Sequence, residues 1–445
     1  MNLLIYNGTI VTQDSRKRIL KPGALAIKED RILDVGPQKE LLETYPDFKK
    51  MDVREKAVLP GLINLHTHTA LTVLRGVAED AGIQSLFKQM FPMTDLMTGQ
   101  DRYTMALLGS LEALKSGATC IVENFHGMDD IVEAVEKIGV RAVVSEIVND
   151  ADLLDIRKGM YRFDRRLGEK LLKKGVDLVE KWHGKHNGRI LCHLSPHAPD
   201  TCSPELLREI KKMSEKLKVG ITLHLSQSPS EVEQVLSREG KRSVEYLESV
   251  EMLGPAVVAG HCVHLDQKEI EILGKTRTNV AHNAAINARR GWIAPITALK
   301  RAGANIGLGT DNMSEDMVEV MRVALMVGRI KTSDYSAMMP EDVFRMATTD
   351  SARALGLERE VGSLEPGKKA DLVIIDMAKP HLVPLVNLIA NFVHTGMASD
   401  VDTVIVDGRI LMEGRIVKTV DEKEVMAEAQ KTTERLWAEY DRKFR

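Results

Sequence analysis

The four cysteines of this 445-residue chain lack any pairing pattern. Cys120, Cys192, Cys202 and Cys262 stand far apart with no Cys-x-x-Cys spacing, which excludes a disulfide framework and a zinc knuckle and leaves reduced, packed thiols. An excess of positive charge is also missing. The formal net charge is -3 with both signs interspersed, so no basic field exists for a nucleic-acid backbone, and a nucleic-acid polymer is excluded as a partner. No stretch reaches the roughly 18 uninterrupted apolar residues of a membrane span, and the N-terminus has no basic region leading into a long apolar run. No low-complexity segment interrupts the chain. The expectation is a soluble cytoplasmic protein without a membrane partner, with homodimer or homotetramer as the assemblies to test for.

Apolar material is plentiful. At 44% hydrophobic residues the chain can bury a full core, either as one large domain with an addition or as several small ones. The 21 methionines read as core filler. Residues 1 to 57 alternate apolar and polar positions in short runs, such as Leu3 to Tyr6, Ala24 to Ile27 and Arg31 to Val35, and Asn7-Gly8 and Pro22-Gly23 read as the turns between them. A matching set near the other end, Ala370 to Asp376 and Val401 to Val406 with the turn Asp407-Gly408, predicts one small β domain assembled from both chain ends.

Between these sets a strand, a polar turn and a helix repeat. The predicted strands are Val58 to Leu65, Ala118 to Val122, Arg141 to Glu146, Arg189 to His193, Gly220 to His224, Ala256 to Gly260, Thr278 to His282 and Asn305 to Leu308. Segments such as Tyr103 to Lys115, Met128 to Ile138, Glu205 to Leu217 and Ala294 to Ala302 carry helical periodicity. Eight such units predict an α/β fold, a (β/α)8 TIM barrel over 58–360, with catalytic groups where the strands end. The small β-sandwich domain then comprises 1–57 and 361–420, and the charged tail 421–445 forms a surface helix.

The central stretch is Leu59-Pro60-Gly61-Leu62-Ile63-Asn64-Leu65-His66-Thr67-His68. On a strand, residues i and i+2 share a face about 7 Å apart, so His66 and His68 can share one metal ion. The other strand ends add Glu123 and His126, His197, His224, His261, His282 with Asn283, and Thr310-Asp311. Three neutral imidazoles and a carboxylate suit zinc, with Fe(II) or Mn(II) as alternatives. No lysine ends the fourth strand, which points to one ion rather than a bridged pair.

The strings Pro60 to His68, Ser195-Pro196-His197-Ala198-Pro199, His261-Cys262-Val263-His264-Leu265, Gly309-Thr310-Asp311 and Gly362 to Val373 resemble the amidohydrolase superfamily over nearly the whole chain. The resemblance is to its mononuclear deaminase and chlorohydrolase branch, which includes 5-methylthioadenosine/S-adenosylhomocysteine deaminases, guanine deaminases and triazine hydrolases. It implies that His66, His68, His224 and Asp311 hold one divalent ion. It further implies that His261 polarises the substrate beside the water, that Asp311 takes the water's proton, and that His197 lies near the substrate. The implied activity replaces an exocyclic amino group of a small nitrogen heterocycle (a purine, pyrimidine, pterin, triazine or adenosine derivative) with hydroxyl and releases ammonia. Hydrolysis of another leaving group or of a ring C–N bond is the alternative, and a catalytically inactive binding module is the competing class.

Two departures stand out. The branch places a proton-donating glutamate three residues after the third histidine ligand, where this chain has Gln227, an amide that donates a hydrogen bond but cannot deliver a proton. Asp311 is then expected to carry both proton steps, with Asp200 and Glu123 as substrate-binding acids that are the alternative stand-ins for the missing glutamate. At Ala81 to Leu86 the acidic residue and tryptophan that engage a nucleoside are missing, so a free base is expected to be processed at least as well as its ribosyl form. The rest read as background: His126, His193 and His264 as structural histidines, His183, His186, His381 and His394 as remote, Glu231 and Glu233 as a solvated helix start, and Arg289-Arg290 as a solvated basic pair.

Overall fold

The computed structural model describes residues 2–80, 82–156 and 159–444, apart from the side chains of 82–86. Both chain ends build one nine-stranded sheet. Asn2–Val11 lies at its centre, antiparallel to Ile19–Lys28, which in turn pairs Arg31–Pro37, while Lys49–Asp52 and Lys56–Pro60 run parallel to Asn2–Val11. Lys56–Pro60 then receives Leu372–Asp376, followed outward by Val401–Val406, Arg409–Glu413 and Ile416–Val417.

The hairpin at Asp407-Gly408 is present, with φ of 48 and 67, the left-handed pair of a tight two-residue hairpin. Asn7-Gly8 and Pro22-Gly23 are not turns. They lie inside Asn2–Val11 and Ile19–Lys28, where Gly8 faces Gly23 and the register shifts on either side of that pair. A Cβ on Gly23 would fall 2.5 Å from Ile10 Cγ1, so glycine here serves a bulge and close strand approach.

Two sets of parallel strands carry the rest. Leu62–Thr67, Ala118–Phe125 and Arg141–Val148 pair in order, and both Ile190–Cys192 and Ser195–Pro196 pair with Arg141–Val148. Ile221–Leu225, Val257–His261, Asn279–His282 and Asn305–Leu308 form the second set. Isolated parallel bridges, Leu194 to Ile221 and Thr67 to Asp311, link the two sets on both sides. Leu65, Val122, Val143, Val258 and Ala281, one from each of five parallel strands, pack as one buried cluster. Each of the larger members contributes on the order of 1.5–3 kcal/mol by burial.

The segment Val58 to Leu65, expected as one strand, is two. Lys56–Pro60 belongs to the nine-stranded sheet and Leu62–Thr67 to the parallel set, and the chain passes from one to the other at Gly61. A Cβ there would lie 2.0 Å from Thr119 Oγ1, so only glycine allows the crossing. Helices Gly99–Lys115, Met128–Ile138, Pro204–Leu217 and Ile296–Ala302 occupy the segments with helical periodicity. The terminal helix Glu422–Phe444 buries Val425, Ala429, Leu436 and Tyr440, and its Trp437 Nε1 donates to Val73 O at 2.9 Å, just past His68. Among the described residues no helix is long and apolar enough to cross a membrane.

Candidate metal centre and active-site cavity

Four buried side chains converge where the parallel strands end. His66 lies within Leu62–Thr67, His68 directly follows it, His224 is in Ile221–Leu225, and Asp311 follows Asn305–Leu308. One ligating atom from each of His66, His68, His224 and Asp311 falls within 4.8 Å of all the others. The backbone locks the first and last strands together here: Asp311 N–H donates to His66 O at 3.0 Å, and His68 N–H to Asp311 O at 2.9 Å. Asp311 and the neighbouring His261 have φ of 71 and 74, left-handed values that non-glycine residues adopt at a cost and that concentrate at functional sites.

The donor set fits a divalent ion on its own chemistry. His68 Nδ1–H donates to Asn124 O at 2.6 Å and His224 Nδ1–H to His197 O at 2.8 Å, so in each ring the lone pair is left on Nε2. Those two Nε2 atoms are 3.1 Å apart, and Asp311 Oδ1 is 3.3 Å from His68 Nε2 and 3.6 Å from His66 Nε2. Neither ring nitrogen of His66 has a hydrogen-bond partner. Lone pairs crowded together in a buried place are a cation's ligands. Burial opposes the charge on Asp311, but the imidazoles of His261, His66 and His68 and the guanidinium of Arg290 hold its carboxyl well below the usual range. Burial keeps His261 neutral, its pKa pushed down to about 3. Its Nδ1–H donates to Asn287 Oδ1 at 3.2 Å, leaving Nε2 as an acceptor 4.0 Å from Asp311 Oδ1.

A cavity opens onto this cluster. His68, His224, Asp311, His197, Gln227, Arg290, Asn312 and His126 supply its polar wall, and Leu71, Met90, Phe91, Phe125, Ile147 and Leu153 are among its apolar residues. A wider surface cleft beside Lys17, Lys21, Arg345 and Val386 holds a single carboxylate, Glu341, and no histidine. The cavity with the converging ligands is therefore the functional candidate.

His197 stands at the wall, its Nδ1 3.0 Å from Thr201 Oγ1. Gln227 is there too, on a loop held by Glu231. That carboxylate accepts from Ser226 N–H and Gln227 N–H, both at 2.8 Å, and is 1% exposed, so Glu231 is not the solvated helix start expected of it. Glu123 and Asp200 are not among the residues lining the cavity. Glu123 Oε2 accepts from Thr69 N–H at 2.8 Å, directly after His68, and Asp200 Oδ2 accepts from Tyr161 O–H at 3.2 Å. Burial raises both, Glu123 to about 7 and Asp200 to about 6.

The basic pair divides. Arg289 faces outward to Glu319 at 3.0 Å, whereas Arg290, 6% exposed, lines the cavity and donates to Asp311 Oδ2 at 3.3 Å. Sequence reasoning missed Asn312 and set aside His126 and Arg290. A charged residue in a loop shortly after a strand-end histidine was the available signal for the last. The nucleoside-contact departure at 81–86 lies outside the described residues and side chains.

The family model described as Amidohydrolase family matches residues 57–411. The chain belongs to the amidohydrolase family. A 5-methylthioadenosine/S-adenosylhomocysteine deaminase of Pelotomaculum thermopropionicum is 36% identical over 441 residues, 98% of this chain and 99% of the relative. A 5'-deoxyadenosine deaminase of Methanosarcina mazei is 35% identical, again over 98% and 99%. Among solved structures, an adenosine deaminase from Xanthomonas campestris with bound zinc superposes with a TM-score of 0.90 at 25% identity, covering 98% of this chain and 99% of that one. This amidohydrolase is thus an α/β protein whose buried His/Asp cluster is suited to a divalent metal.

Proposed function

We propose that this amidohydrolase is a metal-dependent deaminase of adenosine derivatives, replacing the exocyclic amino group of the purine with hydroxyl and releasing ammonia. The observation that carries the reading is the His66, His68, His224 and Asp311 cluster at the mouth of a partly apolar cavity, in a chain whose full-length relatives are named for adenosine-type deamination. In this reading those four residues hold a single ion, taken as zinc on the precedent of the Xanthomonas neighbour. When bound, the ion supplies Lewis acidity that makes water acidic near neutral pH. We likewise read the parallel strands as a (β/α)8 barrel that the chain enters at Gly61 and leaves near 360, with the residues before Gly61 and 361–420 as the accessory β domain and Glu422–Phe444 as a closing helix.

Asp311 accepts the water's proton and returns one to the departing amine, since among the described residues it is the only carboxylate lining the cavity. His261, neutral and fixed by Asn287, presents Nε2 to the water and the reacting carbon. Gln227 donates an amide hydrogen bond to the ring, its loop braced by Glu231. His197 packs against His224 with ring centroids 5.1 Å apart and faces the substrate edge. The apolar wall of Leu71, Met90, Phe91 and Phe125 covers the planar ring or an apolar 5' substituent. The free-base preference expected from 81–86 gives way, in this reading, to the nucleosides for which the relatives are named.

The test is ammonia release from 5'-deoxyadenosine, 5'-methylthioadenosine, S-adenosylhomocysteine, adenosine and adenine by the zinc-loaded protein. The reading expects at least one nucleoside to exceed adenine in kcat/KM by more than about tenfold, or about 1.4 kcal/mol. Turnover of adenine alone would restore the free-base expectation, and no ammonia from any of the five would refute the proposal.

A further inference from the structure

Charge balance in the cavity points to a role for Arg290. Water adds to the amino-bearing carbon through an oxygen lone pair, forming a C–O bond and moving the C=N π pair onto the ring nitrogen, while the water's proton goes to Asp311. The adduct is then an anion with its charge on the ring. In the second step Asp311 returns the proton to the amino group, the C–N bond breaks with its pair going to the leaving ammonia, and the ring nitrogen's pair re-forms C=N. Between the two steps the ring anion needs either a proton or a cation. Among the described residues no side chain at the wall besides Asp311 is a carboxylic acid, and Gln227 cannot give a proton. Burial lowers the pKa of His126 to about 4, so this imidazole brings no proton at neutral pH, and His197 Nδ1 is already engaged with Thr201 Oγ1 at 3.0 Å.

Among the described residues Arg290 is the one guanidinium or ammonium of that wall. Its backbone is fixed at the end of the helix Ala284–Arg289, where its N–H donates to Ile286 O at 3.2 Å and Asn287 O at 3.1 Å. Its side chain makes one hydrogen bond among the described residues, to Asp311 Oδ2 at 3.3 Å. A guanidinium carries five N–H donors, and a buried cation with so few partners is costly unless something else engages it. A group within a hydrogen bond of Asp311 is also next to the reacting carbon rather than at a distant substituent. We propose that Arg290 stabilises the negative charge displaced onto the substrate ring, doing electrostatically what a proton donor at position 227 would do chemically. This rests on the deaminase reading above.

The experiment compares kcat and KM on 5'-deoxyadenosine for the wild type, Arg290→Gln, Arg290→Lys, and Arg290→Gln combined with Gln227→Glu. Metal content and the unfolding midpoint are measured for each protein. Removing one preorganised donor to a developing charge costs about 10² to 10³ in kcat, and Arg290→Gln is expected to lose that much with its metal retained and KM changed less. Arg290→Lys should stay within about tenfold of the wild type because the charge is kept, and adding Gln227→Glu to Arg290→Gln should recover at least about tenfold by restoring a ring proton donor. The inference is overturned if metal-loaded Arg290→Gln keeps kcat within about threefold, if Arg290→Lys is as poor as Arg290→Gln, or if Gln227→Glu rescues nothing. Loss of metal from Arg290→Gln would make the residue a brace for Asp311 and overturn it as well. A wild type inactive on every adenosine derivative would instead refute the deaminase reading, and this inference with it.

Discussion

His68 Nε2 and His224 Nε2 face each other at 3.1 Å, each ring fixed from behind by a backbone carbonyl, Asn124 O for His68 and His197 O for His224. Fixing both tautomers this way brings two lone pairs to one point, which favours a cation there.

The metal prediction follows directly. Elemental analysis of the purified protein should give about one equivalent of divalent metal, and His66→Ala or His224→Ala should fall well below that, since each removes one of four ligands. Two equivalents, or undiminished metal in either variant, would contradict the ligand set.

Proton transfer should rest on Asp311 more than on Gln227. A positioned acid/base group contributes about 10² to 10⁴ in rate, so Asp311→Asn should lose at least that much kcat, with metal loss adding to it. Gln227→Ala should cost about 0.5 to 1.5 kcal/mol, the scale of one neutral hydrogen bond. Because Glu123 and Asp200 accept from Thr69 N–H and Tyr161 O–H, bonds that an amide oxygen can keep, Glu123→Gln and Asp200→Asn should also remain active. A metal-loaded variant of either acid as damaged as Asp311→Asn would show that it supplies the proton.

Glu315 ties the first strand to the last from beneath the cluster. Fully buried, it accepts from Thr67 Oγ1 at 2.6 Å, Thr310 Oγ1 at 2.8 Å and Asn64 Nδ2 at 3.2 Å, the residues that flank His66 and Asp311. Glu315→Ala strands the hydroxyls of Thr67 and Thr310, while Asn64 Nδ2 keeps Thr310 Oγ1 at 2.8 Å, and should destabilise the fold by roughly 2 kcal/mol or more in denaturant unfolding. Disturbing such outer hydrogen bonds should also weaken metal binding by roughly 10- to 100-fold. Unchanged unfolding and metal affinity in this variant would remove the network from the account.

A buried acid pair sets a pH dependence of stability. Burial raises Asp200 from 3.8 to about 6, and burial together with the charge of Asp200 raises Glu231 from 4.5 to about 8. Both groups hold their protons more tightly folded than unfolded, so their contribution is full below about pH 4 and is lost as pH rises towards about 8. The Tm of the wild type should therefore decline more between pH 5 and pH 8 than that of Asp200→Asn, which mimics the protonated acid and keeps an acceptor for Tyr161. Parallel curves would rule the pair out as the source.

How far the sequence carried the reading depended on whether the deciding neighbour was local. The His66-x-His68 spacing and the histidines and aspartate at strand ends were legible because a strand's alternation and end fix where those side chains go. Gly61 was not, because its role is set by Thr119 on the next strand. Gly8 read as a turn residue until Gly23 was found opposite it. Arg289 and Arg290 are chemically identical neighbours, and only the folded positions of Glu319 and Asp311 separate a surface ion pair from a cavity wall. Glu231 read as solvated because nothing local shows that the chain turns at Ser226 with φ of 48 and aims two N–H groups at it.

The most direct test of the central claim is ammonia release from 5'-deoxyadenosine by one preparation assayed as purified, after chelation, and after zinc is returned. The account predicts one ammonia per deaminated nucleoside, activity lost on chelation, and activity regained in proportion to metal up to about one equivalent. Ammonia release that survives complete metal removal, or none at full occupancy, would contradict it.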